Sequence, residues 1–499
     1  MLAAGPHPAT PLCADGHRLA KPNATIPQLC ASACMYYPSS ASSMRLFHGL
    51  VLAALLAGLA LPGHAQSRAK RYVQQHLHPI ASIQPNYPDD SDLAVFGQAI
   101  GTARVVMLGE QDHGDGATFL AKTRLIKYLH EQKGFNVLAF EDDLFALDRG
   151  WEQVAATPGA QAAFLHATIH PYWSGCQQCD DLLYQYVPHA ASGPQPLLIT
   201  GFDNQFYSEY SRKQFPEYLH NYLTKNNLSF TKSRSYQQFF RPFVDTLLVS
   251  GYFITGKLDL DNPVSGLAIR DKRGQLRRFE ACLDTIAAQL PPGPDSFDRL
   301  LLRNLHALTQ ESAAYTDDHN TTYNVRDAQM AANLDWLVNT KYAGEKIIVW
   351  AASTHIAAGK GSDYLVQARL PAAQQAQQRA YWDAVHPMGQ VFMVNPRNRQ
   401  QTYVLGFTSG TGTTQRTVAS APTTVPLPGK NGLESWLPAN LPYAFIDLQP
   451  LRTAQPPEYF GLKALQHRLI FANWPNFFDG LFYLNTMTPC TRTSYPAGK

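Results

Sequence analysis

The sequence predicts an α/β fold, a central, largely parallel or mixed sheet flanked by helices, on three observations. Short β-branched and aliphatic runs recur at residues 104–109 (RVVMLG), 136–140 (NVLAF), 196–200 (PLLIT) and 346–351 (KIIVWA). They are apolar on both faces, as strands covered by helices on both sides must be. A stretch with helical spacing separates the first two, which makes a strand–helix–strand unit. Finally, all four runs lead into polar, chemistry-bearing residues, the arrangement found where parallel strands meet a binding crevice.

In chain order, residues 1–43 are rich in Pro, Ser and Ala and read as translation from an upstream start, outside the working protein. Met44-Arg45 then opens a short basic region, residues 46–61 are apolar, and Pro62-Gly63-His64-Ala65 places small residues before Gln66. That is the layout of a cleavable signal peptide, which implies a secreted or periplasmic protein with no stable membrane insertion after cleavage. The apolar run falls short of the ~20 residues of a membrane span; an uncleaved anchor is the alternative. Residues 66–499 read as one catalytic domain.

Between the first two strands, Ala121, Leu125, Tyr128 and Leu129 recur at helical spacing over 117–133, and Gly134 supplies a stop. Residues 211–223, 236–248, 271–289, 295–310 and 324–340 also read as helices, and about 205–320 reads as a helical insertion over the sheet. Further strands are expected at 390–394, 403–407 and 443–448. The segment 409–432, rich in Thr, Pro, Gly and Ser, is expected to be a mobile surface loop.

Composition limits the partners. Apolar residues make up 45% and charged residues 16%, a globular balance. Beyond residue 65, 38 Lys and Arg face 37 Asp and Glu, so no net field favours nucleic acid or an anionic membrane. Cleavage after Ala65 leaves Cys176, Cys179, Cys282 and Cys490, an even number that permits disulfides in an oxidising compartment. Cys176-Gln-Gln-Cys179 could be a redox motif or half a zinc site. A local bridge between the two, or two thiols at a helix start, fits better, because no second close pair exists.

The polar strand ends carry the chemistry. The first strand runs into Glu110-Gln111-Asp112-His113, the second ends at Glu141-Asp142-Asp143, the third at Asp203, and the fourth runs into Ser353-Thr354-His355. In a parallel sheet these ends share one edge, so Glu110, His113, Glu141 and His355 converge. The segments 105–113 and 347–355 also echo one another, each an apolar strand ending in histidine at the same offset. Each residue taken singly has an ordinary structural explanation, a helix cap or a hydrogen-bonded core imidazole; the four together favour a site. The strand ends offer no G-x-S-x-G elbow and the chain no H-E-x-x-H, so direct activation of water by a histidine is the expected chemistry, with no cofactor required.

The GEQDHG segment, Lys122 with Arg124-Leu-Ile, Phe140-Glu141, Trp173, the GFD at 201–203, the RD…MAAN…WL run at 326–337, IVWAASTHIA, the PMG at 387–389 and GFTS at 406–409 resemble, in order, the motifs of the erythromycin esterase family. The resemblance spans roughly residues 95–480. It implies an α/β fold, hydrolysis of a carboxylic ester or (macro)lactone, Glu110 with His113 as a first catalytic pair, Glu141 as a strand-end carboxylate, and His355 as a second histidine. Lys122, Arg124 and Trp173 would serve substrate or oxyanion. The chain departs from the family pattern at Lys122, where macrolide esterases have arginine, at Ala117 in place of an acidic residue, and at Ala352-Ser353 in place of His-Asn. The same four residues could instead hold a divalent metal. Distant G-E-x-H relatives imply a further alternative, a haem- or iron-associated binding protein; a non-catalytic surface protein is a third. Trp173, Tyr323 and His386 are candidates for the mouth of the site.

Overall fold

Strands apolar on both faces need cover on both sides, and the computed structural model provides it. It describes residues 67–244, 272–314, 318–366, 368 and 370–495; the expected signal segment, residues 1–43 and the end of the helix expected at 236–248 lie outside these. The strands are β1 (His78–Pro79), β2 (Val105–Leu108), β3 (Val137–Asp143), β4 (Leu198–Asp203), β5 (Ile347–Trp350), β6 (Thr402–Thr414), β7 (Thr423–Thr424), β8 (Tyr443–Asp447), β9 (Phe460–Leu465), β10 (Arg468–Ala472) and β11 (Gly480–Met487). Nine of them form one sheet in the order β1-β8-β11-β6-β2-β5-β3-β4, with β7 hydrogen-bonded to β6. From β11 to β4 every pairing is parallel; β8 and β1 add an antiparallel edge.

The two faces of the sheet are legible residue by residue. Val105, Met107, Val137, Ala139, Ile347 and Val349 enter one core. Val106, Leu108, Leu138, Phe140, Ile348 and Trp350 enter the other. This is the alternation that the strand period of two imposes. Helix α1 (Gly116–Lys133) links β2 to β3 and buries most of its length. It stops at Gly134, whose φ of +69° closes the last turn in a conformation that costs glycine least. Between β4 and β5 run α2 (Glu209–Lys225), α3 (Lys272–Gln289), α4 (Phe297–Ala314) and α5 (His319–Trp336). No described helix is long and apolar enough to cross a membrane.

Three expectations need correction. The strand expected at 390–394 is α6 (Met388–Phe392): Pro387 opens the helix, and the Met388 N–H is held by the Asp327 carboxylate at 2.7 Å. Segment 409–432 is strand in its first six residues, while most of residues 416–431 lie at the surface as expected. β6 continues through it to Thr414, Val425 is buried, and the buried Lys463 ammonium donates to the carbonyls of Gly410 and Pro426. Cys176 pairs with Cys490 across 314 residues, and Cys179 is a buried free thiol. Residues 170–174, just ahead of Cys176, are thereby tied to the chain end that follows β11.

Candidate functional site

Parallel pairing sets the carboxyl ends of β2, β5, β3 and β4 side by side, so the polar residues that follow them meet in one cavity of about 490 Å³. Its size suits a small-molecule site. His113, Glu141, Asp203 and His355 all contribute to the wall.

The first group is built on the turn after β2. Gly114 is required there: a Cβ would lie 1.5 Å from the Gln415 carbonyl oxygen, so the turn can rest on the end of β6 only without a side chain. Glu110 is fully buried beneath His113 and receives three donors. His113 Nδ1 lies 3.0 Å from Oε1, Trp173 Nε1 donates to the same oxygen at 3.0 Å, and Lys122 Nζ sits 2.5 Å from Oε2. Burial alone would raise the Glu110 pKa, but the Lys122 charge and the His113 hydrogen bond outweigh it and hold the carboxyl below its usual range. An ionised Glu110 accepts from Nδ1–H, which leaves the lone pair on His113 Nε2. The His113 ring stacks on Tyr172 at 4.7 Å and meets the edge of Trp173 at 5.5 Å, which fixes its plane. Lys122 is wholly buried over the Trp350 ring, 3.9 Å from its centroid.

The turn is braced from behind. Asp115 accepts the Asp112 N–H at 3.0 Å and pairs with His467 Nε2 at 3.0 Å. His467 and Gln466 form the β9–β10 turn, both with left-handed φ (+55° and +51°), and Gln466 donates its backbone N–H to the Gln111 carbonyl. Ser409 Oγ lies 3.3 Å from His467 Nδ1. Although this is a Ser, His and Asp in contact, all three are buried and absent from the cavity wall. Thr354 is in the wall, with no histidine hydrogen-bonded to its hydroxyl among the described residues.

The second group surrounds His355, which follows β5 on a four-residue helix, Ser353–Ile356. Asp327 accepts from Nδ1 at 2.8 Å, and Glu141 Oε1 lies 3.3 Å from Nε2. Arg326 reaches Asp203 through both Nε (3.2 Å) and Nη2 (2.5 Å), and Glu141 at 3.2 Å. The Ala352 N–H donates to the other Glu141 oxygen at 2.8 Å. Burial opposes a charged His355, yet Asp327 and Glu141 overcome it and raise its pKa. Burial likewise opposes ionisation of Glu141, but His355, His113 and Arg326 pull it down to about 2. Tyr323 stacks on the His355 ring at 5.2 Å.

These shifts define a stability window. The lowered Glu141 pKa contributes stability present above the ordinary 4.5 and lost as pH falls towards about 2. The raised His355 pKa contributes stability present below 6.5 and lost as pH rises past its folded value. Glu141→Gln should therefore lower the thermal midpoint at about pH 5 by several degrees and have progressively less effect towards about pH 3. A difference in melting temperature that stayed constant across that range would contradict the ion-pair account.

Not every expected residue reaches the cavity. Arg124 is turned away, held by Asp92, by Asp90 and by the carbonyls of Ser82 and Asp89. It supports α1 and touches no substrate space. Lys122 neutralises Glu110 from below and does not face the cavity, so neither cation is available to an oxyanion directly. Trp173 and Tyr323 line the wall; His386 does not. From the sequence, Arg326 and Asp327 stand out only as the RD of a family motif without a role in the site, and His170, Tyr172, Tyr207 and Arg416 not at all. The RD pair with Tyr323 one helical turn earlier was the available signal, since i, i+3 and i+4 share a helix face.

Comparison with known proteins places this geometry. The erythromycin esterase family model matches residues 130–487, which takes in Glu141, Arg326 and His355 and begins just after Glu110 and His113. YbfO of Bacillus subtilis (strain 168), which carries a hydrolase name, is 22% identical over 476 residues, 88% of this chain and 96% of YbfO. Among solved structures, a succinoglycan biosynthesis protein superposes with a TM-score of 0.59 at 17% identity, covering 86% of this chain and 99% of its own. A mutant of the erythromycin esterase EreC in its open conformation superposes with 0.51 at 14% identity, covering 81% and 96%. The chain is a hydrolase-type α/β protein that belongs to the erythromycin esterase family.

Proposed function

We propose that the chain hydrolyses a carboxylic ester or lactone by direct attack of water, with His113 as the general base. The observation that carries this reading is the Glu110–His113 pair: a buried, ionised carboxylate on Nδ1 and, at the wall of the cavity, an Nε2 with no hydrogen-bond partner among the described residues. His113 Nε2 takes a proton from water as the oxygen attacks the carbonyl, and returns it to the leaving alkoxide, so acid and alcohol leave together. Arg326 places fixed positive charge beside the developing negative charge, with His355 next to it; their own carboxylate partners hold both still.

The outer half of the cavity supports a bulky, partly apolar substrate. Tyr364 and Trp382 stack at 3.9 Å, and Tyr381, Leu465 and Ile470 extend that flank. Among the described residues no group of three or more His, Cys, Asp or Glu is arranged to hold a metal ion; in the proposed mechanism the two imidazoles keep their carboxylate partners. The Cys176–Cys490 disulfide supports the proposal that the protein works outside the cytoplasm.

The reading is tested with a panel of aryl esters, lactones and macrolides set against aryl phosphates, anilides and glycosides. Turnover confined to esters and lactones is expected. Cleavage of a phosphate or glycoside in preference to every ester would contradict it.

A further inference from the structure

An ester hydrolase needs a donor aimed at the oxyanion as well as a base, and several donors around this cavity are already committed. Trp173 donates to Glu110, Tyr207 to Asp142, Tyr323 to the Thr354 carbonyl and Gln111 to Ser409. Arg326 serves Asp203 and Glu141 and sets Nη1 3.3 Å from His355 Nε2, and both nitrogens of His355 also meet carboxylates. Lys122 and Arg124, the cations expected to take this part, lie outside the wall.

His170 differs from all of these. It lines the same cavity and caps the short helix Pro171–Ser174, where its Nδ1 accepts the Tyr172 N–H at 3.2 Å. A backbone N–H can only donate, so Nδ1 carries the lone pair and the ring proton sits on Nε2. No partner for Nε2 is found among the described residues. The backbone of His170 is pinned in turn, since its N–H donates to Asp142 Oδ2 at 2.9 Å. Its ring packs on Tyr172 at 4.1 Å, the same ring that stacks on His113. The two imidazoles therefore both contact one tyrosine ring, one presenting a lone pair and the other an N–H.

We infer that His170 is a further catalytic residue: its Nε2–H is the hydrogen-bond donor that stabilises the oxyanion formed when His113-activated water attacks. The inference rests on the hydrolytic reading above. Burial and the neighbouring His113 lower the His170 pKa to about 4, so the ring stays neutral at working pH and keeps this single tautomer. A neutral imidazole also leaves the charge balance beside His113 undisturbed.

Two substitutions separate this role from helix capping. Asparagine retains an acceptor for the Tyr172 N–H but does not reach the Nε2 position; glutamine carries an N–H near that position but loses the cap. On an aryl ester such as p-nitrophenyl butyrate, His170→Asn should lower kcat by about 10²–10³ with KM changed less than about threefold. His170→Gln should stay within about tenfold of the wild type. A capping role alone would reverse that order, and wild-type kcat in His170→Asn would overturn the inference.

Binding of an anionic aryl methylphosphonate, which mimics the tetrahedral oxyanion, provides the readout that does not depend on turnover. His170→Asn should weaken it at least about tenfold, and His170→Gln should weaken it less than His170→Asn does. Equal binding by the wild type and His170→Asn, or no binding by the wild type, would overturn the inference. Full ester turnover in His113→Ala would instead remove His113 as the base, the reading on which this inference rests, so the two failures are distinguishable.

Discussion

His113→Ala is expected to lower kcat on any ester substrate by about 10²–10⁴, the usual contribution of a general base. The loss should fall on kcat more than on KM, because the imidazole is only one part of a wall that includes Tyr172, Trp173 and Tyr207. Fold stability should change little, since the ring lies at the cavity surface and its Glu110 partner keeps Lys122 and Trp173. A variant that retained most of its activity would show that the proton goes elsewhere, and the assignment of Glu110 as its orienting partner would fall with it.

The second large effect is at Glu110 itself, where catalysis and stability are joined. Glu110→Gln removes the only carboxylate hydrogen-bonded to Lys122 among the described residues. With both side chains fully buried, breaking such a pair costs about 3–5 kcal/mol because a buried charge is left uncompensated. The amide can also present its N–H to His113 Nδ1, which would move the ring proton to Nε2 and take the base out of action, so activity should fall by about 10²–10⁴. Adding Lys122→Met should restore most of the stability by removing the orphaned charge, while activity stays low. Denaturant unfolding and ester turnover of both variants check this. A double variant that regained activity would mean that Glu110 does no more than hold Lys122.

How far the sequence reveals this molecule follows from the range of the interactions involved. Burial on both faces is a local property, so β2, β3, β4 and β5 are visible as apolar runs. Parallel pairing then brings Glu110, Glu141 and His355 to one edge without further information. The opening of α1 is harder to read. Lys122 and Arg124 stand two residues apart, and positions i and i+2 leave a helix in different directions: Lys122 goes to Glu110 and Arg124 to Asp92. The partners of Arg326 are 123 and 185 residues away, and no spacing rule links a helical arginine to distant strand ends. The Cys176–Cys490 disulfide defeats the close-pair expectation for the same reason. At 390–394 an apolar run too short to show its period reads as strand although it is helix, and at 409–414 polar composition hides a strand that pairs with β11.

The central claim is that a histidine held by a buried carboxylate activates water in this cavity without a metal. The most direct test measures ester turnover by the wild type before and after exhaustive chelation, with His113→Ala alongside. The account predicts a wild-type rate unchanged by the chelator and a rate lost in His113→Ala. A wild-type rate abolished by chelation and restored by a divalent ion, or a His113→Ala rate close to the wild type, would contradict it.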